Sequence, residues 1–237
     1  MLTTDHNSRS YSDYALSTPA VISLLDILAD PSTSIESYRR TMHQLGTFLA
    51  EAILTVLKHS EHDIFLVCTV EDADFLAQGV MDGLKSLGNR LKLICLWNSV
   101  LREEGVYLTP VIRQYKEPQT TATASFIIIK SIISSACVVK TNLTRAMSMV
   151  QVDQVIVASP VLLKGAQERL AQEFPKDIAD KFEYLWLATD SQKNGDYVDP
   201  GVGGSVYERL GFVNEVEKNK YTPQIVKTRR AQHTVEV

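Results

Sequence analysis

The chain has 237 residues, of which 45% are hydrophobic and 22% are charged, a composition typical of one globular domain and unlike that of a disordered chain. The formal net charge of −4 argues against a general nucleic-acid-binding protein, and no apolar run is long enough to cross a membrane. The polar N-terminus lacks the apolar core of a signal peptide, and three scattered cysteines suggest neither a disulfide framework nor a metal site, so we expect a cytoplasmic protein.

The predicted elements alternate between helices and short apolar strands. Residues 1–18 are predicted to form a mobile arm, a helix to span residues 19–29, and Ser34 to cap a second, long helix. Further predicted strands lie at 64–68, 91–97, 126–129, 154–158 and 184–188, further helices at 74–87, 139–149 and 164–174, and an extended segment at 106–115. Strands that are apolar throughout are buried on both faces, so the pattern predicts an α/β fold with a parallel sheet covered by helices on both sides.

A loop rich in glycine follows the last predicted strand. Because its backbone carries few side chains, its N–H and C=O groups can approach a flat polar ligand such as a nucleobase. An ordinary surface turn explains the same composition, and the loop taken alone favours the turn. The candidate nucleobase-binding residues are Tyr197, Pro200, Gly201, Val202, Gly203 and Gly204.

Five short motifs, taken in order, resemble the uracil phosphoribosyltransferase family, which has the type I phosphoribosyltransferase fold. The family motifs are an N-terminal D-x-x-T-S, M-V-D-G-M, P-V-E-Y-Y-x-K, a strand and helix start after the phosphate loop, and the nucleobase loop Y-I-x-P-G-L-G-D-x-G-D-R-x-F-G. Their counterparts here are residues 28–34, 80–84, 110–116, 155–165 and 197–211. The resemblance implies a domain over residues 19–212 with a small hood or hairpin, and association as a homodimer or larger oligomer. The arm at 1–18 and a tail at 213–237 lie outside it.

The departures from the family fall where phosphoribosyl pyrophosphate (PRPP) binds. The family strand that ends in the phosphate loop reads V-D-P-M-L-A-T-G-G-S, and the residues aligned with it are 129–138. Lys130 stands at the acidic position, Ser135 at the threonine, and Ala136 and Cys137 at the two glycines. A phosphate cradle needs successive backbone N–H groups that point inward, often from residues with positive φ, which Ala and Cys resist. The candidate phosphate-binding residues that remain are Lys130, Ser131, Ser134 and Ser135.

The turn after the first predicted strand also differs. The family has an arginine and a glycine there to hold pyrophosphate, whereas this chain has Glu71-Asp72-Ala73-Asp74, whose charge would repel it. These carboxylates could bind Mg²⁺, which an active enzyme would need, or could simply occupy a helix N-terminus. Likewise, His59 and His62 could bind a metal or lie in a solvated loop. No residue is assigned a catalytic or metal-binding role.

Other cationic residues have two interpretations each. Lys130 and Lys140 could face a phosphate group or an acidic partner. Residues 213–237 could form a solvated tail, or a segment that docks a protein partner with Ile225 and Val226 as anchors. The N-terminal arm is the other expected partner-binding segment.

Three hypotheses for function follow. The first is a relative of the family that has lost PRPP-dependent catalysis and acts as a dimeric binding, regulatory or scaffold protein, with a remnant nucleobase or nucleotide pocket. The second is an active enzyme that makes UMP from uracil and PRPP with a divergent phosphate cradle. The third is a purely structural interaction subunit. The missing arginine, acid and paired glycines favour the first and third over the second, and the retained glycine-rich loop favours the first.

Overall fold

The computed structural model describes residues 8–58, 61–103 and 106–234. The strands are β1 Arg9–Tyr11, β2 Asp63–Thr69, β3 Leu91–Asn98, β4 Leu101–Glu103, β5 Val106–Leu108, β6 Val111–Lys116, β7 Thr123–Ile129, β8 Ile132–Ile133, β9 Gln151–Leu163, β10 Phe182–Asp190, β11 Gln192–Asn194 and β12 Tyr197–Asp199. The helices are α1 Asp13–Ser17, α2 Pro19–Ala29, α3 Ile35–Val56, α4 Val70–Asp72, α5 Gln78–Gly83, α6 Cys137–Met147, α7 Ala166–Ala171, α8 Lys176–Ala179, α9 Val206–Arg209, α10 Glu215–Lys220 and α11 Gln224–Thr234.

The centre of the molecule is a mostly parallel sheet. Within the described ranges its strand order is β1-β10-β9-β7-β2-β3-β6, and β8 pairs with β9 beside this path. The strands from β10 to β3 are parallel to their neighbours, and β1 and β6 run antiparallel at the two edges. Every residue of β2 and β3 is buried, as expected for strands covered on both faces. The predicted α/β class and the central placement of strands 64–68, 126–129 and 154–158 are confirmed.

Helices cover both faces of the sheet. On one face, the buried core includes side chains from α1 to α5 and from α11. On the other face, it includes side chains from α6 and α7. The predicted extended segment at 106–115 contains β5 and most of β6, and β5 pairs with β4 as a separate hairpin.

The predicted helix at 74–87 begins earlier than expected. It starts at Val70 in α4, continues through a π-helical turn at Ala73–Ala77 into α5, and is followed by a 3₁₀ turn at Lys85–Arg90. Glu71 and Asp72 therefore lie in the first helical turn, but their side chains bind a lysine just after β7, as shown below. The early start places these carboxylates directly after β2.

The longest helix, α3, packs most of its apolar side chains into the core of its own chain. Its residues Leu45, Leu49 and Ile53 are fully buried, whereas Leu54 is 45% exposed. Ser34 caps it as predicted, because its side chain accepts a hydrogen bond from the backbone N–H of Ser37. In the described part of the chain, no helix combines the length and apolar character needed to cross a membrane.

The expectation of a mobile N-terminal arm is wrong for the part of it that the structure describes. Residues 9–11 form β1, which pairs with residues 188–190 of β10, and α1 follows. Arg9 anchors this segment, because its guanidinium donates hydrogen bonds of 2.7 and 2.8 Å to the two carboxylate oxygens of the fully buried Asp190.

The expectation of a solvated C-terminal tail is also wrong for residues 213–234. This segment, which we call the C-terminal segment, forms α10 and α11, and Ile225 and Val226 are buried in the core of the same chain. Asp74 holds its second helix, because its carboxylate accepts hydrogen bonds from the N–H groups of Gln224 and Ile225, both at 2.8 Å. The two anchors named from the sequence are therefore internal contacts.

The packing of the C-terminal segment predicts the effect of two matched substitutions. Val226→Asp should lower the free energy of unfolding by roughly 3 kcal/mol or more, because Val226 is 0% exposed and the new carboxylate would be buried without a partner. Val213→Asp should change it by less than about 0.5 kcal/mol, because Val213 is 80% exposed. Urea denaturation measures both, and equal small effects would show that the segment is not part of the core.

Candidate functional site

The candidate site lies at the carboxyl ends of β2 and β7, in the middle of the sheet. From β2 the chain continues to β3 on one side, and β7 later joins β2 on the other side. In open α/β sheets, ligands bind in the crevice outside the carboxyl ends of two strands whose connections diverge in this way. The residues that follow β2 and β7 are Val70 to Asp72 and Lys130 to Ser131, which include the sequence candidates.

An ion cluster of the chain's own side chains occupies this crevice. The Nζ atom of Lys130 lies 2.7 Å from Oδ2 of Asp72 and 3.1 Å from Oε1 of Glu71. Thr69 adds a hydrogen bond of 2.9 Å from its hydroxyl to Oδ2 of Asp72. The side chain of Asp72 is 1% exposed, and those of Lys130 and Glu71 are each 13% exposed. The lysine that the sequence placed near a phosphate therefore neutralises two carboxylates instead.

A second lysine reaches the cluster from the C-terminal segment. The side chain of Lys218, on α10, is 6% exposed, and its Nζ lies 3.9 Å from Oε2 of Glu71. The same ammonium group donates a hydrogen bond of 3.3 Å to the carbonyl oxygen of Asn98, at the end of β3. Two lysines thus face two carboxylates, and we call Glu71, Asp72, Lys130 and Lys218 the switch-point cluster. It joins β2, β3, β7 and α10.

The charges of the switch-point cluster stabilise one another. Burial alone would raise the pKa of Glu71, but the charges of Lys130 and Lys218 outweigh it and lower the pKa to about 2. Burial would lower the pKa of Lys130, but the charges of Asp72 and Glu71 outweigh it and raise that pKa above its ordinary value. Glu71 and Lys130 are therefore both charged at neutral pH. The crevice has little net charge to offer a pyrophosphate group or a magnesium ion.

The segment aligned with the family's phosphate loop forms a short strand and a helix. After Lys130 the chain forms β8, which pairs with β9, and then enters α6. Ala136 has φ −75° and ψ −19°, so the position of a family glycine is right-handed here. Ser131 is fully buried, Ser134 is half-buried, and Ser135 is exposed. None of the described residues 129–138 has the positive φ that phosphate cradles often use.

The glycine-rich loop at 200–204 lies beside this segment, but several of its backbone groups have partners within the chain. The N–H of Gly201 donates to Oδ2 of Asp190 at 2.8 Å, and its carbonyl accepts from Arg9 at 2.5 Å. The hydroxyl of Tyr38 donates to the carbonyl oxygen of Val202 at 2.9 Å. Gly201 and Val202 are buried, whereas Tyr197 is 49% exposed. The loop therefore ties β10, the N-terminal arm and α3 together.

Gly203 and Gly204 have different surroundings. Both have positive φ, of 74° and 111°. A Cβ atom at Gly203 would collide with the carbonyl oxygen of Leu28 at the end of α2, whereas a Cβ at Gly204 would meet nothing within 4 Å. Gly203 is therefore required for packing whether or not the loop binds a ligand.

The sequence patterns missed the residues that complete the site. Asp190, Arg9, Tyr38 and Lys218 lie outside the five motifs, and only the fold shows which groups they contact. Of the two histidines proposed as metal ligands, His59 lies outside the described residues. Across the described ranges, no group of three or more His, Cys, Asp or Glu residues is arranged to hold a metal ion.

Comparisons with known proteins identify a shared fold. No protein-family model and no curated protein matches the chain. Among solved structures, the AQ2163 protein from Aquifex aeolicus is 15% identical, and the match covers 83% of this chain and 96% of that chain with a TM-score of 0.64. At this identity the similarity shows the fold alone.

Two other solved structures are less similar. The TT1426 protein from Thermus thermophilus is 15% identical, with 77% of this chain and 98% of that chain covered and a TM-score of 0.46. Hypoxanthine-guanine phosphoribosyl transferase from L. donovani is 12% identical, with 68% and 82% covered and a TM-score of 0.35. Similarity at these TM-scores supports no conclusion about the activity of this chain.

Removal of Lys130 tests the switch-point cluster. Lys130→Met should lower the free energy of unfolding at pH 7 by about 3 kcal/mol or more, because two nearly buried carboxylates lose their closest cation. The matched variant Lys176→Met, at a lysine whose side chain is 86% exposed, should cost less than about 0.5 kcal/mol. Urea denaturation at neutral pH measures both variants, and equal costs would contradict the importance of the cluster.

The same pair of variants predicts a pH dependence. Because the folded pKa of Glu71 is lowered, its contribution to stability is fully present above the unfolded value near 4.5 and is lost as the pH falls toward about 2. The stability difference between wild type and Lys130→Met should therefore shrink as the pH falls from 5 toward 3. A difference that stays constant over this range would show that Lys130 does not act through these carboxylates.

Two glycine substitutions test the loop packing. Gly204→Ala should cost about 1 kcal/mol through positive φ, and Gly203→Ala should cost at least roughly 2 kcal/mol more, because its methyl group also meets the Leu28 carbonyl. Thermal unfolding measures the difference. Equal costs at the two positions would show that α2 does not constrain the loop.

Proposed function

We propose that the protein is a phosphoribosyltransferase-like protein that does not use PRPP and acts in the cytoplasm by binding. The observation that supports this proposal is the switch-point cluster, which fills the crevice where an open α/β sheet binds its ligand. A PRPP molecule would have to displace contacts of 2.7 and 3.1 Å between side chains that are already charge-paired.

The arrangement of charge supports the same conclusion. In the resembled family, an arginine lies at the turn after the first strand and an acid lies near the phosphate loop, whereas this chain has Glu71 and Asp72 at the turn and Lys130 near the loop. The pair of charges is thus reversed. A reversed pair still stabilises the fold, but the turn now repels pyrophosphate and the lysine cannot accept hydrogen bonds from ribose hydroxyls. Losing these interactions would cost on the order of several kcal/mol of transition-state stabilisation, which lowers the reaction rate by several powers of ten.

The C-terminal segment also covers the crevice. Lys218 reaches Glu71 from α10, and α11 is fixed by Asp74, in the π-helical turn after the cluster carboxylates. Lys218, Tyr221 and the residues after them belong to the part of the chain beyond the family resemblance. Its packing on the crevice supports a binding or scaffold role over catalysis.

An enzyme assay tests the proposal. We expect no UMP above background when the protein is incubated with labelled uracil, PRPP and Mg²⁺. Turnover at a rate ordinary for an enzyme, abolished by Lys130→Met or Glu71→Gln, would establish the alternative of an active uracil phosphoribosyltransferase.

Calorimetry distinguishes the remaining two roles. We propose that the loop at 200–204 retains a weak nucleobase pocket, supported by its exposed Tyr197 and by the open space beside Gly204. Isothermal titration should then show saturable heat with uracil or UMP. The absence of heat with uracil, UMP, UTP and GTP would favour a purely structural interaction subunit.

We also propose that the protein is a homodimer. The supporting observation is a set of exposed aliphatic side chains on α1 to α3, namely Leu16, Ile27, Ile35 and Leu54. Light scattering at micromolar concentration should give twice the mass of 26.4 kDa, and Leu54→Lys should shift the equilibrium toward the monomer. A monomer for the wild-type protein would contradict this proposal.

A further inference from the structure

One edge of the sheet, at β6, has an open row of backbone groups. In the described structure β6 pairs with β3 alone, so alternate N–H and C=O groups on its other side have no partner strand. An edge of this kind is a template for an added strand unless something covers it. Ile112, near the start of β6, is 56% exposed.

A groove of about 800 Å³ lies along this edge, between β6 and α6. One wall contains the four consecutive residues 111–114. Neighbouring side chains of a strand point to opposite faces of the sheet, so a groove that touches all four residues runs along the edge of the strand. The other wall is formed by α6 and the residue after it, with Lys140, Thr141, Thr144, Arg145 and Ser148. Four strand residues and nine helical positions each span roughly 13 Å, which is the length of about four extended residues.

The groove is cationic in a chain whose net charge is −4. No carboxylate lines it among the described residues. Arg145 meets the neutral amide of Gln114, with its Nε 2.7 Å from Oε1, and Lys140 meets Glu173. Burial lowers the pKa of the neighbouring Lys116, and the charge of Arg145 lowers it further, because these two cations lie close to each other.

Arg113 contributes little to this charge. Its guanidinium lies 3.8 Å from the centre of the Trp97 ring and donates to the carbonyl oxygen of Tyr221 at 2.8 Å. Arg145 is therefore the main available cation of the groove, because Lys140 already pairs with Glu173. Lys116 lies beside Arg145. Thr141, Thr144 and Ser148 add hydroxyl donors beside them.

We propose that this groove binds an extended acidic peptide segment of a protein partner. The segment adds to β6 as a further strand, and its carboxylates face Arg145 and compete with the exposed Glu173 for Lys140. Main-chain hydrogen bonds supply affinity in this mode of recognition, and side-chain contacts supply specificity. The proposal goes beyond the loss of PRPP chemistry, because the groove lies along the sheet edge and contains no member of the switch-point cluster.

Fluorescence anisotropy tests the charge requirement. The probe is a fluorescein-labelled octapeptide of alternating glutamate and valine, and the control probe has lysine in place of glutamate. The full chain should bind the acidic probe saturably and should not bind the basic one. Arg145→Glu should weaken binding at least tenfold, whereas Arg40→Glu, an exposed position on α3 with the same charge change, should leave binding within twofold. Thermal melts should show that both variants are folded.

N-methylated probes test strand addition. In one acidic peptide the odd-numbered amides are methylated, and in the other the even-numbered amides, so each pattern blocks one edge of the incoming strand. One pattern should abolish binding and the other should preserve it. Absence of binding by the unmodified acidic peptide would overturn the proposal. Equal binding of both methylated peptides, or equal effects of Arg145→Glu and Arg40→Glu, would also overturn it in favour of nonspecific attraction between the protein and polyanions.

Discussion

The ion pair between Lys130 and Asp72 is the interaction on which the centre of this structure depends. It joins the carboxyl ends of β2 and β7 at 2.7 Å, where the connections from the sheet diverge. A buried charge is tolerated only when it is paired, so neither partner can be lost alone without a large cost. The chain's own charged side chains therefore occupy the crevice between these strands, which is where ligands bind in open α/β sheets.

Other charged residues extend this ion pair to the C-terminal segment. Glu71 shares Lys130 with Asp72 and extends the charge network to Lys218, which draws α10 over the end of β3. Asp74, one helical turn further on, caps α11. The sequence suggested that these carboxylates form a metal site or a helix cap. In the structure, Glu71 and Asp72 bind Lys130, and Asp74 binds the C-terminal segment. The contacts of Glu71 with Lys218 and of Asp74 with α11 explain why a polar, mixed-charge segment packs on the core.

The sequence predicted the sheet well, because its strands are short apolar runs bounded by polar residues and its helices carry clear apolar stripes. Ser34 and the helix at 19–29 could be placed for local reasons, capping and periodicity. The failures were non-local. Arg9 is anchored by Asp190 and Lys218 by Glu71, pairs separated by most of the chain, and no spacing rule indicates such contacts. The early start of the helix at Val70 was missed because its first carboxylates pair with Lys130, a distant residue, instead of facing solvent.

The candidate site was therefore predicted in part. The positions of Lys130 and of residues 200–204 near the carboxyl edge could be inferred from motif order, and the right-handed backbone at Ala136 from the resistance of alanine to positive φ. Their partners could not be inferred, because a lysine near a phosphate and a lysine bound to two carboxylates look alike in sequence.

The most direct test of the account is an NMR measurement of the Lys130 ammonium group during titration with PRPP and Mg²⁺. A buried, charge-paired ammonium should give a ¹H–¹⁵N signal in slow exchange, assigned by its loss in Lys130→Met. The account predicts that this signal does not move at millimolar PRPP. A saturable shift of the signal, or the absence of a protected ammonium signal in the wild-type protein, would contradict it.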